Sequence, residues 1–223
     1  MNSRIYLNNS WKFTPEWTGE TADPAFDEST MENIRIPHTV KELPLHYCNE
    51  QSYQMVSGYR RHLFAPEEWK GKAILLTFEG AAHDATVFLN GREAASHHCG
   101  YTAFTADISS LLNYGEDNII TVRLDSRETL NVPPFGFVID YMTYGGIYRN
   151  VYLEIRSFSY IEDVFVNTDP GSIYEKNNSN GEGMGKSFFS DDASLTSLVT
   201  INNFRPGMMI RQSFRSKTQE QFR

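Results

Sequence analysis

The chain has 223 residues, 40% apolar and 13% aromatic, which is enough to bury a real core in one large β domain or in one domain plus part of another. Its formal net charge of −8 comes without a long basic run, so the electrostatic footprint of a nucleic-acid-binding protein is missing. No segment reaches membrane-spanning length and the opening MNSRIYLNNSWKF has no signal-peptide core, which excludes a membrane span and predicts a cytoplasmic protein.

In that compartment Cys48 and Cys99 are expected to stay reduced thiols rather than pair. Along the chain, Ile5, Leu7, Trp11 and Phe13 alternate with polar residues. GYRRHLF (58–64) reads as a strand entry, and KAILLTFEG (72–80) as a short buried run ended by glycine. DATVFLNGREAAS (84–96) carries Asn90-Gly91 between two β-prone arms. Asn-Gly predicts a hairpin because a type I′ turn requires positive φ at both central residues. YTAFTADIS (101–109), NIITVRLDS (118–126) and GIYRNVYLEIRS (146–157) follow as strands. Between the first two, DISSLLNYGEDN is expected to make a short helical turn capped by Asp107 or Ser109 and ended by Gly115. This is the rhythm of an all-β sandwich. Two consecutive glycines, Gly145 and Gly146, allow a sharp turn or a close backbone approach. Asp140 stands just upstream of them, outside a strand end.

After residue 157 the texture changes. IEDVFVNTD (161–169) is a strand candidate, and NNSNGEGMGKS (177–187) reads as an exposed loop. LTSLVTINN and MMIRQSF are two more strands, separated by a turn through Arg205, Pro206 and Gly207. Three strands fall short of the roughly seven that an immunoglobulin-like sandwich needs. The expected organisation is therefore a complete domain over 1–157 and a domain begun and not finished over 158–223.

Conspicuous chemistry is sparse. Glu67-Glu68 and Asp191-Asp192 are adjacent acids in loops, a pattern that usually means solvated surface. His97, His98 and Cys99 are metal-ligand types, but neighbours on a strand point to opposite faces and do not share one ion. Trp11, Trp17 and Trp69 are expected to serve packing before sugar stacking. Gly80, Gly91 and Gly100 lack phosphate-loop spacing. No metal and no cofactor is expected.

The series YRRHLF, EEWKGKAILLTFEG, VFLNGREAASH, GYTAF with DIS, DNIITVRLD and DYMTYGGIYRNVYLEI resembles the N-terminal sugar-binding domain of glycoside hydrolase family 2, the β-galactosidase and β-glucuronidase family, over about residues 4–157. The resemblance implies a jelly-roll, galactose-binding-like β-sandwich, with IEDVFVNTD as the first strand of an incomplete immunoglobulin-like domain. In the family, retaining hydrolysis of a terminal β-glycoside belongs to a third domain, a (β/α)₈ barrel with two glutamates. Such a barrel takes about 250 residues of alternating strand and helix, and retention requires two carboxyl groups about 5 Å apart. No catalytic residue is therefore expected in this chain, which would act as a non-catalytic module with carbohydrate and the barrel as partners.

The resemblance also implies two substrate-binding residues. Asp140, six residues before Gly146, matches the aspartate that contacts sugar hydroxyls in the family's glycone pocket, where an anionic acceptor suits hydroxyl donors. Gln54, in SYQMVSGYRR, keeps the amide type of an asparagine that the family's β-galactosidases place before the YR strand. The other reading of Asp140 is a turn-capping acid bonded to its own backbone. Two other functions stay open: a free-standing carbohydrate-binding protein, and a structural module that supports contacts in a homo-oligomer.

Overall fold

The computed structural model describes residues 3–42, 44–46, 49–133, 135–136, 142–169 and 194–202. The chain divides into two units, Met1–Phe158 and Ser159–Arg223. In chain order the first unit contains β1 (Ser3–Tyr6), β2 (Trp11–Thr14), β3 (Glu32–Ile34), β4 (Val56–Ala65), β5 (Ala73–Phe78), β6 (Asp84–Leu89), β7 (Arg92–His97), β8 (Phe104–Asp107), β9 (Glu116–Asp125) and β10 (Val151–Arg156). They form a four-stranded sheet ordered β1-β10-β5-β8 and a six-stranded sheet ordered β3-β2-β4-β9-β6-β7, with every pairing antiparallel. Their inner faces form a sandwich around one apolar cluster.

The side-chain period of two explains the core. Ala85, Val87 and Leu89 of β6 and Ile120, Val122 and Leu124 of β9 are buried and meet Ile74, Leu76 and Phe78 of β5 and Val151 and Leu153 of β10. All six residues of β5 are buried, which is why Ala73–Leu76 is an apolar run rather than an alternation; Thr77 is the one polar member, its hydroxyl 2.9 Å from that of Thr105. Asn90 (φ 51°) and Gly91 (φ 77°) join β6 to β7 with Leu89 opposite Arg92, the two positive φ values that a type I′ turn demands. The turn is also tied to its neighbour: the Asn90 amide donates to Asn118 Oδ1 at 2.8 Å, and its Oδ1 accepts from the Ile119 N–H at 2.9 Å.

The structure refines three of these segments. The alternating N-terminal run is two strands in different sheets, β1 on β10 and β2 between β3 and β4, because the chain turns at Ser10 (φ 62°). Between β8 and β9 the expected short turn is present as a single turn: Asp107 Oδ1 accepts from the Ser109 N–H, Leu111 N–H donates to Ile108 O, and Gly115 (φ 78°) leads into β9. Residues 146–150 lie outside β10, which begins at Val151, because that stretch is used for the loop contacts described below.

The outer face of the six-stranded sheet carries a buried charge. Arg60 of β4 is 0% exposed beneath the segment Thr21–Glu28. Its guanidinium donates to Glu28 Oε1 at 2.8 Å, to the carbonyls of Thr21 and Asp23 at 2.5 and 2.9 Å, and lies over the Phe26 ring. One side chain thereby holds down a loop that has little apolar surface of its own.

The second unit contains β11 (Tyr160–Asp169) paired antiparallel with β12 (Ser194–Asn202), with an irregularity between Ile161 and Asp163. Ile161, Val164, Phe165, Val166 and Leu198 are exposed on it. The expected loop 177–187, the turn 205–207, the strand 208–214, and Cys48, Asp191 and Asp192 lie outside the described residues.

Candidate functional site

One end of the sandwich is built from the loop before β4, the β5–β6 and β7–β8 connections, and the long β9–β10 connection that contains Asp140. Gly145–Ile147 is gripped from two sides: Val40 N–H donates to Gly145 O, His38 N–H to Ile147 O, and Ala82 and Gly146 exchange backbone bonds of 3.0 and 3.3 Å. The close approach expected of the two glycines is present. A Cβ on Gly146, whose φ is 133°, would overlap the His38 carbonyl oxygen, and one on Gly145 would overlap the Ser126 side chain. Gly146→Ala is therefore expected to lose at least about 2 kcal/mol in urea unfolding, through strain plus clash. Gly71→Ala, with φ 78° but open space around it, should lose only about 1 kcal/mol. Equal losses would mean that the grip on residue 146 contributes nothing.

Polar side chains fix the same end. The Ser126 hydroxyl donates to Tyr53 O at 2.6 Å and accepts from the Met55 N–H at 3.1 Å. Thr143, 3% exposed, donates its hydroxyl to Glu128 Oε1 at 2.7 Å, with Glu50 Oε1 3.4 Å away. Tyr144 packs edge-on against Tyr53 at 5.8 Å. Burial alone would raise the Asp125 carboxyl, but hydrogen bonds and charge from Arg127, with the charge of Arg123, hold it below its ordinary value.

His83 is 2% exposed, and neither ring nitrogen has a hydrogen-bond partner among the described residues. Its backbone N–H donates to Asp125 O. A Cβ on Gly100 would stand 2.9 Å from its Nδ1, so glycine at 100 makes room for the ring. Burial pushes its pKa down against the opposing charges of Glu128 and Asp125, so the imidazole is neutral at neutral pH.

Of the two residues expected to bind substrate, Gln54 is half-buried directly after the turn Glu50–Tyr53. Its Nε2 is buried with no partner among the described residues. Asp140 lies outside the described residues, and the gripped Gly145–Ile147 follow a few positions downstream. Sequence reasoning missed His83, Glu128 and Thr143, whose only local signal is a polar residue beside an apolar stretch.

Other residues singled out from the sequence have ordinary partners. His97 bonds Thr102 and stacks on Phe104, and His98 pairs with Asp84. Trp11 is in the core, Trp17 stacks on Phe88 and Trp69 packs against the core. Glu67 pairs with Lys70 at the surface. Around the loop end Leu45, Tyr101, Leu130, Phe135 and Tyr144 remain exposed.

Comparison with known proteins agrees with this architecture. The family described as "Glycosyl hydrolases family 2, sugar binding domain" matches residues 7–156. A β-galactosidase of Thermoanaerobacter pseudethanolicus is 42% identical over 166 residues, 74% of this chain and 22% of that protein. A β-glucuronidase of Bacteroides fragilis is 34% identical over 153 residues, 68% of this chain and 20% of that protein. The structure of Bacteroides uniformis β-glucuronidase 2 covalently bound to cyclophellitol-6-carboxylate aziridine matches with a TM-score of 0.66 at 29% identity, covering 75% of this chain and 20% of that one. The chain thus spans about a fifth of the length of these relatives. With its core, its hairpin and its gripped β9–β10 loop all inside the matched region, the chain belongs to glycosyl hydrolase family 2, through that family's sugar-binding domain.

Proposed function

We propose that this chain is the N-terminal, non-catalytic sugar-binding module of a longer family 2 glycosidase that hydrolyses terminal β-glycosides with retention. The sandwich is a jelly roll of the galactose-binding type, and β11 and β12 begin an immunoglobulin-like domain. Asp140 and Gln54 face the glycone of a carbohydrate held between this module and a catalytic barrel. The observation that carries the reading is the loop end itself. Gly145–Ile147 are gripped by two neighbouring loops, and Leu45, Leu130, Phe135 and Tyr144, in the loop before β4 and the β9–β10 connection, are exposed. Large apolar side chains exposed in these two loops suit a surface that a neighbouring domain covers, and the proposal sets Asp140 against a ligand at that seam.

The proposal is tested by assay of the 223-residue chain alone against chromogenic β-galactosides and β-glucuronides. Hydrolysis is expected to stay at background, because the reaction requires paired carboxylates that the proposal assigns to the barrel. Turnover abolished by substituting an acid of this chain would overturn it.

A further inference from the structure

The outer face of the six-stranded sheet holds a groove of about 510 Å³ at the β2–β3 edge, lined by Ser10, Lys12, Asn33, Arg35 and His62 together with Trp11 and Ile34. It lies apart from the loop end, since His62 is in the second half of β4 and Gln54 precedes that strand. Its side chains come together through register. Lys12 is directly opposite Asn33 on one side and Arg60 on the other, and residues two apart on a strand share a face, which adds His62; Ser10 in the turn before β2 and Arg35 just after β3 complete the lining.

The lining is rich in donors and contains no carboxylate. Three acids stand near it: Asp27, which feels the charge of Lys12 and is bonded by the Ser29 N–H and hydroxyl, and the two engaged acids Glu28 and Asp117. Glu28 bonds Arg60 at 2.8 Å, with His62 Nε2 at 3.4 Å and Lys12 Nζ at 3.5 Å, and Asp117 bonds His62 Nδ1. Glu28 also fixes Lys12 through its carbonyl, 3.3 Å from Nζ. Arg35 is exposed, and no hydrogen bond or ion pair occupies its guanidinium among the described residues. The turn that forms one wall is braced from the inner side, where Arg61 Nε donates to Asn9 O at 3.0 Å. An ammonium held in place, an unpaired guanidinium and neutral amide and hydroxyl groups are thus gathered on a chain of net charge −8.

We infer that this groove binds a saccharide bearing an oxyanion, through Arg35 and Lys12 on the anionic group and Asn33 and Ser10 on hydroxyls. Guanidinium matches planar oxyanions with two parallel hydrogen bonds, and the volume is in the range of small-ligand sites. A uronic acid carboxylate and a sulfate ester share this chemistry.

The test is an NMR titration of the whole ¹⁵N-labelled chain with glucuronic acid, galactose 6-sulfate, galactose and inorganic sulfate, following the amides of Lys12, Asn33 and Arg35. One or both oxyanion sugars should bind at least about tenfold tighter than galactose, and the tighter of the two identifies the source of the anion. Affinity should fall with added salt. Arg35→Gln, at an exposed position, should weaken binding about tenfold or more, the loss of one charged hydrogen bond. Arg92→Gln, which removes the same charge from the hairpin, should leave it unchanged. The inference is overturned if galactose binds as tightly as the charged sugars, if inorganic sulfate matches them and the groove takes an adventitious ion only, or if the two variants behave alike.

Discussion

Asp140→Ala, made in a longer protein that contains this sequence, is expected to lower kcat/KM by roughly ten- to a few-hundredfold while leaving the thermal midpoint nearly unchanged. A hydrogen bond to a charged group contributes about 1.5–3 kcal/mol, and each 1.36 kcal/mol is about a factor of ten in rate. Downstream of it, residues 143–147 are fixed by backbone bonds from His38, Val40 and Ala82 and by the Thr143–Glu128 bond. Removing an acid that meets sugar hydroxyls should therefore change binding and not folding. A turn-capping acid gives the reverse pattern. If the variant melts several degrees lower with kcat/KM intact, Asp140 belongs to the loop's own hydrogen bonding and the sugar-ligand role is lost. A fall in both would leave Asp140→Asn to separate them: it keeps a local turn acceptor but loses the charge, so recovery of stability without activity favours the sugar role.

The largest expected loss of stability is at Arg60. Arg60→Met removes the donor to Glu28 Oε1 and to the carbonyls of Thr21 and Asp23, leaving a largely buried carboxylate with only the longer contacts to Lys12 and His62. Breaking one side of a buried ion pair costs about 3–5 kcal/mol, which for a domain of this size lowers the midpoint by about 6–20 °C. Glu28→Gln should cost less, since an amide oxygen still accepts from the guanidinium. The pH dependence has a definite sign. Burial alone would raise the Glu28 carboxyl, but the Arg60 hydrogen bond and the charges of Arg60, His62 and Lys12 bring it below its ordinary value. A depressed folded-state pKa gives stability that is present above the ordinary value and is lost as pH falls through the folded one. Wild type should lose this contribution on acidification, and Glu28→Gln should lack that part of the acid limb. Denaturant unfolding from neutral to acid pH measures both, and an Arg60→Met variant within about 1 kcal/mol of wild type would show that the Thr21–Glu28 loop is held by other contacts.

What the amino-acid sequence determined by itself was local. The Asn90-Gly91 turn was legible because its backbone angles are a property of two adjacent residues. β5 was legible because the run Ala73–Leu76 and Phe78 must be covered on both faces, and Gly145-Gly146 because two neighbouring glycines mark a close approach. The family resemblance in the hairpin and in GGIYRNVYL was legible for the same reason, as both are contiguous. Only the tertiary structure decided matters set by chain segments far apart in sequence. MNSRIYLNNSWKF reads as one alternating run, yet its halves go to opposite sheets, because the partners of β1 and β2 are β10 and β4. Nothing in GYRRHLF marks Arg60 as buried, but a loop more than thirty residues upstream folds over it and supplies the carbonyls and carboxylate that make its burial tolerable. His83 sits in GAAHDATVF with nothing to distinguish it. Its burial follows from Gly100, Asp125 and Glu128 converging on it, and the groove at Arg35 depends on the register that sets Lys12 beside Asn33. Side chains brought together by strand pairing and loop closure carry no mark in their own neighbourhoods, since their surroundings are other parts of the chain.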